Sequence, residues 1–250
     1  MSTILTSKSE GDVERHGDRE DDAPYGVIGR VVQGAGTPSE RCIELASGDV
    51  AGPYHVLDVL SCDVHAGDLF DASLQHRLER SRMVRQGRDM ALKYMAMAAH
   101  SRFEVQRYLA LKRGIPPAVA ESLVQSLEQE GYLDDLALCL RLVEQAGMQT
   151  HPPGTMALSQ RLQRRGLDKK TIRAALAQAG YEEFDGALGQ GERKLPELRA
   201  RVERLLCKKG NSGDGRQELY RLRESLAGFL ARKGYGQETV RAVVERLLGD

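Results

Sequence analysis

The 250-residue chain has no tryptophan, four phenylalanines and eight tyrosines. Proteins that hold single-stranded nucleic acid without sequence preference stack its bases on aromatic rings. With so few rings, any DNA contact is expected to be electrostatic and sensitive to salt. Cysteine is also scarce. The four, at positions 42, 62, 139 and 207, form no CxxC pair, which argues against a zinc ribbon or a disulfide framework. No apolar run approaches the roughly 20 residues that a bilayer requires. The first 22 residues carry acids where a signal peptide would place basic and then apolar residues. A cytoplasmic protein with no membrane contact is therefore expected. Nucleotide signatures are missing too. Gly34 and Gly36 lack the third glycine of a dinucleotide loop, and no GK[ST] follows any glycine cluster.

Charge is plentiful and unevenly placed. Thirty-six Lys and Arg balance thirty-six Asp and Glu overall. Residues 1–80 hold 7 basic against 15 acidic side chains, and residues 148–250 hold 20 against 13. The basic half suits a polyanionic partner, although Lys and Arg are also good formers of exposed helix.

Composition divides the chain in the same direction. Residues 1–24 are polar and acidic, too poor in apolar side chains to offset the entropy of ordering, and are read as a disordered leader. Residues 25–71 read as a small β-containing segment. The runs Val27 to Val32, Cys42 to Ala46 and Tyr54 to Leu60 are separated by turn-formers that include Pro38, Gly48, Gly52 and Pro53. Beyond residue 71 leucines recur at helical spacing to the end. The expected fold is mainly α, an elongated tandem array of three three-helix modules over residues 72–147, 148–210 and 211–250.

The modules rest on a repeat. With Leu109, Leu162 and Leu230 aligned, Val105, Leu158 and Leu226 stand four residues earlier. Val119, Ile172 and Val240 stand ten later, and Leu123, Leu176 and Val244 fourteen later. Each set places one apolar pair a turn apart on one helix and a second pair on the next. Between the helices lies a basic doublet and a glycine: Lys112-Arg113-Gly114, Arg164-Arg165-Gly166 and Arg232-Lys233-Gly234. Glycine ends the first helix in a left-handed turn, and the cations face the negative end of its dipole. Ser101 with Glu104, and Asp214 with Gln217, fit a capping box. A single helix from Asp134 or Asp135 to about Ala146 follows the first pair, and another from Pro196 to about Lys209 follows the second. Gly186 to Gly191 and Gly210 to Gly215 read as flexible joints.

The helical part resembles the RecX regulatory proteins, modulators of the RecA recombinase. The likeness is carried by Ser101-Arg102-Phe103-Glu104-Val105, Tyr108-Leu109, Gly114 and Gly131-Tyr132-Leu133-Asp134-Asp135. It continues through Gly154, Leu158, Leu162 and Arg165-Gly166-Leu167, and returns in Leu230 with Gly234-Tyr235. Leu138 and Cys139 depart from it, standing where the family usually has an aromatic and an alanine. The resemblance implies a monomeric, non-enzymatic protein that binds RecA and its filament on single-stranded DNA. It implies restraint of filament growth, ATP hydrolysis and strand exchange. A different class of reading is a helical-repeat DNA-binding protein or transcription regulator that needs no recombinase.

Candidate contacts follow from charge. Arg161, Arg164, Arg165, Lys169, Lys170 and Arg173 put six cations in thirteen residues with Asp168 as the sole acid, an excess beyond what capping requires. Arg232 and Lys233 join them as candidates, and weak, salt-sensitive contact with DNA is expected there. Groove reading by helix-turn-helix is disfavoured, because the helix after Gly114 carries Glu121, Glu128 and Glu130 with no Lys or Arg. Asp134 and Asp135 read as helix caps rather than catalytic carboxylates, and Cys62 with His65 lacks a second pair to complete a metal site. Met90, Met95 and Met97 read as core filling. No convergent set of ionisable groups stands out, so no catalytic residue, metal or cofactor is expected.

Overall fold

The computed structural model describes residues 25–208 and 215–249, so the expected leader and the pairing of Asp214 with Gln217 lie outside them. The chain divides into two compact units, residues 1–85 and 86–250.

In the first unit, strands β1 (Gly26–Gln33), β2 (Glu40–Leu45), β3 (Val50–His55) and the short β4 (Leu69–Phe70) form an antiparallel sheet in the order β3-β2-β1-β4. Ile28, Ile43, Leu45, Ala51 and Phe70 bury one face against Val59, Leu74 and Leu78. The expected strand from Tyr54 to Leu60 stops at His55. Val56–Ser61 is instead a helix, α1, whose N-cap His55 accepts from the Leu57 N–H. That helix buries Asp58, whose carboxylate takes a two-point bond from Arg85 (3.0 and 2.9 Å) and a third from Ser81 (3.2 Å). A carboxylate that far from water requires such partners.

Helix α2 (Ala72–Met97) contains the division between the units. In the second unit the first copy comprises α3 (Arg102–Arg107), a π turn (Tyr108–Lys112) and α4 (Pro117–Gln129), followed by α5 (Asp135–Gly147). The second copy is α6 (Thr155–Arg164) and α7 (Lys169–Gln178), followed by α8 (Phe184–Lys208); the third is α9 (Gly215–Arg232) and α10 (Gln237–Leu248). Gly114, Gly166 and Gly234 all take positive φ, as expected of helix-ending glycines.

Three apolar cores organise these helices. The first joins Ala91 of α2 with Val105, Leu109, Leu123 and Leu127. In the second, Cys139 and Val143 of α5 pack with Leu158, Leu162, Ile172 and Ala175. Leu198, Val202 and Leu206 of α8 pack with Leu222, Leu226, Leu230 and Val243 in the third. Each single helix thus packs against the pair that follows it.

Three details differ from the sequence reading. Gly186 to Gly191 is no joint but the first turns of α8. Its glycines permit close approach: a Cβ at Gly186 would lie 2.5 Å from the Pro152 carbonyl oxygen, and one at Gly191 2.8 Å from Leu247. Met90 and Met95 pack on the first core, whereas Met97 is 83% exposed. The register of the first copy also shifts. It has five residues from Leu109 to Gly114 where the others have four. The extra residue is taken up in the π turn, as single insertions in helices are. The closing hydrogen bond therefore runs from Ile115 N–H to the Leu109 carbonyl, six residues back. Its counterparts, Leu167 to Leu162 and Tyr235 to Leu230, reach five. Counting from that apolar residue, Ala120, fully buried, matches Ile172 and Val240, while Val119 is only partly buried.

Candidate functional site

The cation-rich second copy is built on two well-specified helix ends. Asp168 caps α7, accepting from the N–H groups of Lys170 (2.7 Å) and Thr171 (2.9 Å) and from the Thr171 hydroxyl (2.7 Å). The Thr171 hydroxyl, with these N–H groups, holds the Asp168 carboxyl below its usual range. Arg161 and Arg164 occupy the last turn of α6, where a helix dipole favours cations. Lys169 and Lys170 sit in the first turn of α7, the end at which cations are disfavoured, so capping gives no reason for them. Arg161, Arg164, Lys169, Lys170 and Arg173 are exposed, and none is in an ion pair among the described residues.

Arg165 has a different position. It is half-buried, and its guanidinium grips Glu104 of the first copy through both carboxylate oxygens (2.7 and 2.7 Å) and the Ala99 carbonyl (3.0 Å). Its own carbonyl accepts from the Ser101 hydroxyl at 2.5 Å. The candidate binding cation at this position is a clamp between copies. Glu104 completes the capping box expected with Ser101 and also holds Arg165. Burial alone would raise its carboxyl, but Arg165, the Ser101 N–H and His100 together bring it below the ordinary range. Arg232 and Lys233 are exposed, Lys233 lying 5.8 Å over the Phe229 ring.

The clamp recurs in altered form one copy further on. A Cβ on Gly166 would lie 2.2 Å from Phe103, and one on Gly154 would lie 2.1 Å from the Gly234 carbonyl carbon. In both places the glycine turn of one copy seats on the start of the first helix of the copy before it. Gly234 accepts there from Met156 N–H at 3.0 Å. Glu183 completes this second joint with the N–H groups of Thr155 and Gly236. Burial would raise its carboxyl; those N–H donors and the Thr155 and Thr239 hydroxyls lower it below the usual range. Tyr235 and Tyr181 donate to the carbonyls of Pro152 (2.8 Å) and Pro153 (2.6 Å). Sequence reading missed Glu183, because nothing local marks a glutamate that bridges residues 28 and 53 positions away.

Asp134 caps α5 by accepting from Ala137 N–H at 2.9 Å, and Asp135 accepts from Arg102 N–H at 2.9 Å. Burial pushes the Asp135 carboxyl up, against the pull of Arg102. Cys139 beneath it is pushed up to about 11 by burial and by Asp135 and Asp168, the opposite of a reactive thiol.

Rings stack face to face on the first copy. Tyr94 stacks on His100 (3.8 Å) and on Tyr108 (4.0 Å), and the Arg113 guanidinium lies 5.1 Å over Tyr108 while donating to its hydroxyl at 2.7 Å. Tyr94, at the centre of this column, has a ring stacked on each face and so offers no free platform for a base. Beside it opens a groove of about 640 Å³ lined by Tyr94, Tyr108 and the cations Arg107, Lys112 and Arg113. Among the described residues no group of three or more His, Cys, Asp or Glu is placed to hold a metal ion, and no helix is long and apolar enough to cross a membrane.

Three copies of a glycine-closed helix pair, the second and third each joined through its turn to the copy before it, define the second unit as a tandem-repeat helical protein. No family model matches the chain. Regulatory protein RecX of Mycolicibacterium vanbaalenii is 30% identical over 159 residues, spanning 64% of this chain and 80% of that protein. That of Xanthomonas axonopodis pv. citri is 31% identical over 160 residues, spanning 64% and 86%. The chain belongs to the RecX family of regulatory proteins. A crystal structure of a regulatory protein RecX shares its fold, with a TM-score of 0.58 at 16% identity, covering 87% of this chain and 98% of that one.

Proposed function

We propose that this chain binds the RecA recombinase and its filament on single-stranded DNA, and that it inhibits filament growth, ATP hydrolysis and strand exchange. The observation that carries this reading is membership of a family of regulatory proteins. The second copy adds support. Its exposed Arg161, Arg164, Lys169, Lys170 and Arg173 include three cations that neither capping nor pairing explains, and they suit a protein coat wound on a polyanion. Arg232 and Lys233 extend the candidate surface, with direct DNA contact weak and salt-sensitive. The protein acts by binding, without a cofactor.

The test measures the DNA-dependent ATPase of RecA. Inhibition is expected at protein concentrations well below those that saturate naked DNA. Reversing Arg164, Lys169 and Lys170 to glutamate is expected to weaken inhibition about tenfold or more and to flatten its salt dependence. Tight binding of a defined duplex with the ATPase untouched would instead favour a transcription regulator.

A further inference from the structure

The two joints leave one turn over. Gly166 seats on the start of α3 and Gly234 on the start of α6, but Gly114 has open space around it, with Lys112 and Arg113 exposed and Leu111 71% exposed. The first copy thus also ends in a glycine turn, one residue longer through its π turn, and among the described residues nothing is seated on it. Among the described residues the other end of the array offers no such seat. Helix α9 starts at Gly215, well before Leu222, the position matching Ser101 and Gly154, so the chain there is mid-helix.

The chemistry of the filled seats defines what fits the empty one. A helix start presents unpaired N–H donors and positive potential, and the turn presents the carbonyls that end a helix. At the first joint a hydroxyl cap bonds the turn carbonyl and an acid in the third helical position takes the arginine that precedes the glycine. Arg113 precedes Gly114 as Arg165 precedes Gly166. It lines the groove with Arg107, Lys112 and Glu104, where its guanidinium donates to the Tyr108 hydroxyl and leaves its other N–H groups for a carboxylate. In a second copy of this chain the start of α3 is already taken, its Ser101 and Glu104 holding Arg165, so that helix is not free to fill the seat.

We propose that the turn Lys112-Arg113-Gly114 docks the N-terminus of a helix on the partner protein, one with a small or hydroxyl cap and an acid in its third position. The inference rests on the reading that this partner is the recombinase. The turn is the partner-specific contact, separate from the cations of the second copy.

The test uses the full chain with p-benzoylphenylalanine in place of Leu111, photo-crosslinked to recombinase filaments on single-stranded DNA. It is paired with co-sedimentation of Arg113→Glu. The expected crosslinks fall in the first turn of a recombinase helix carrying such a cap and acid. Arg113→Glu is expected to lower filament binding at least about tenfold, a larger loss than its effect on naked-DNA binding, and a loss not shared by Tyr108→Phe, which removes the Arg113 bond to Tyr108 but keeps the charge. Crosslinks into residues 1–24 of this chain, into a second copy or elsewhere on the recombinase overturn the inference, as does an Arg113→Glu variant that sediments like the parent. A parent that fails to sediment with filaments overturns the recombinase reading itself, and this inference with it.

Discussion

Gly114 and Gly166 share a backbone conformation but not an environment. Both have positive φ, +68° and +83°, where an L side chain is strained. Gly166→Ala also drives a Cβ into Phe103. The strain alone costs about 1–2 kcal/mol, and overpacking adds roughly 1–3 kcal/mol. Denaturant unfolding is therefore expected to rank Gly166→Ala well below Gly114→Ala in stability, and equal losses would mean that the joint is not packed. Arg165→Ala leaves a partly buried carboxylate without its principal partner and is expected to cost about 2 kcal/mol. Arg165→Lys restores the charge but not the two-point fork, and so recovers only part of that loss in the same measurement.

At the scale of the element, the π turn is an insertion absorbed in place. Deleting Lys112 gives the first copy the spacing of the other two, so helical circular dichroism is expected to persist with Tm within a few degrees. The equivalent deletion of Arg164 removes a residue from an ordinary helix end and pulls Leu167 out of its core, at a cost of at least about 4 °C. The periodicity of apolar residues made these helices legible, because side chains three and four apart must share a face. It aligned the second helix of the first copy one residue out of register with the other copies, matching Val119 where Ala120 is the buried position, since a π turn leaves no mark in composition. Gly186 to Gly191 misled for a related reason. Glycine reads as a flexible joint until a neighbouring backbone is known to need the space.

At the scale of the whole second unit, two carboxylates tie the copies together, and both titrate below the ordinary value. For Glu104 and Glu183, folded values under the unfolded reference of 4.5 mean that their stabilisation is complete above that pH and is lost as pH falls through the folded values. Tm is therefore expected to decline on acidification below about pH 4.5. Glu183→Gln is expected to lower Tm at neutral pH and to make that acid decline shallower. Steepness unchanged by the substitution would remove Glu183 from the joint. Of the eight candidate cations, seven are exposed as their charge suggested, and Arg165 alone is taken into a joint.

The sequence by itself determined the local order of this protein: the small sheet, the three glycine-closed helix pairs, the caps at Ser101 and Asp134, and the division of charge. Each follows from rules that act within a few residues, namely side-chain period, backbone freedom and the unpaired groups at helix ends. Only the tertiary structure decided which pair each single helix packs against, that Arg165 is a clamp and that Glu183 spans two helix starts. It also decided that, among the described residues, nothing is seated on one turn of three. Those outcomes depend on groups tens of residues apart meeting at hydrogen-bond distance, and no periodicity encodes such a meeting.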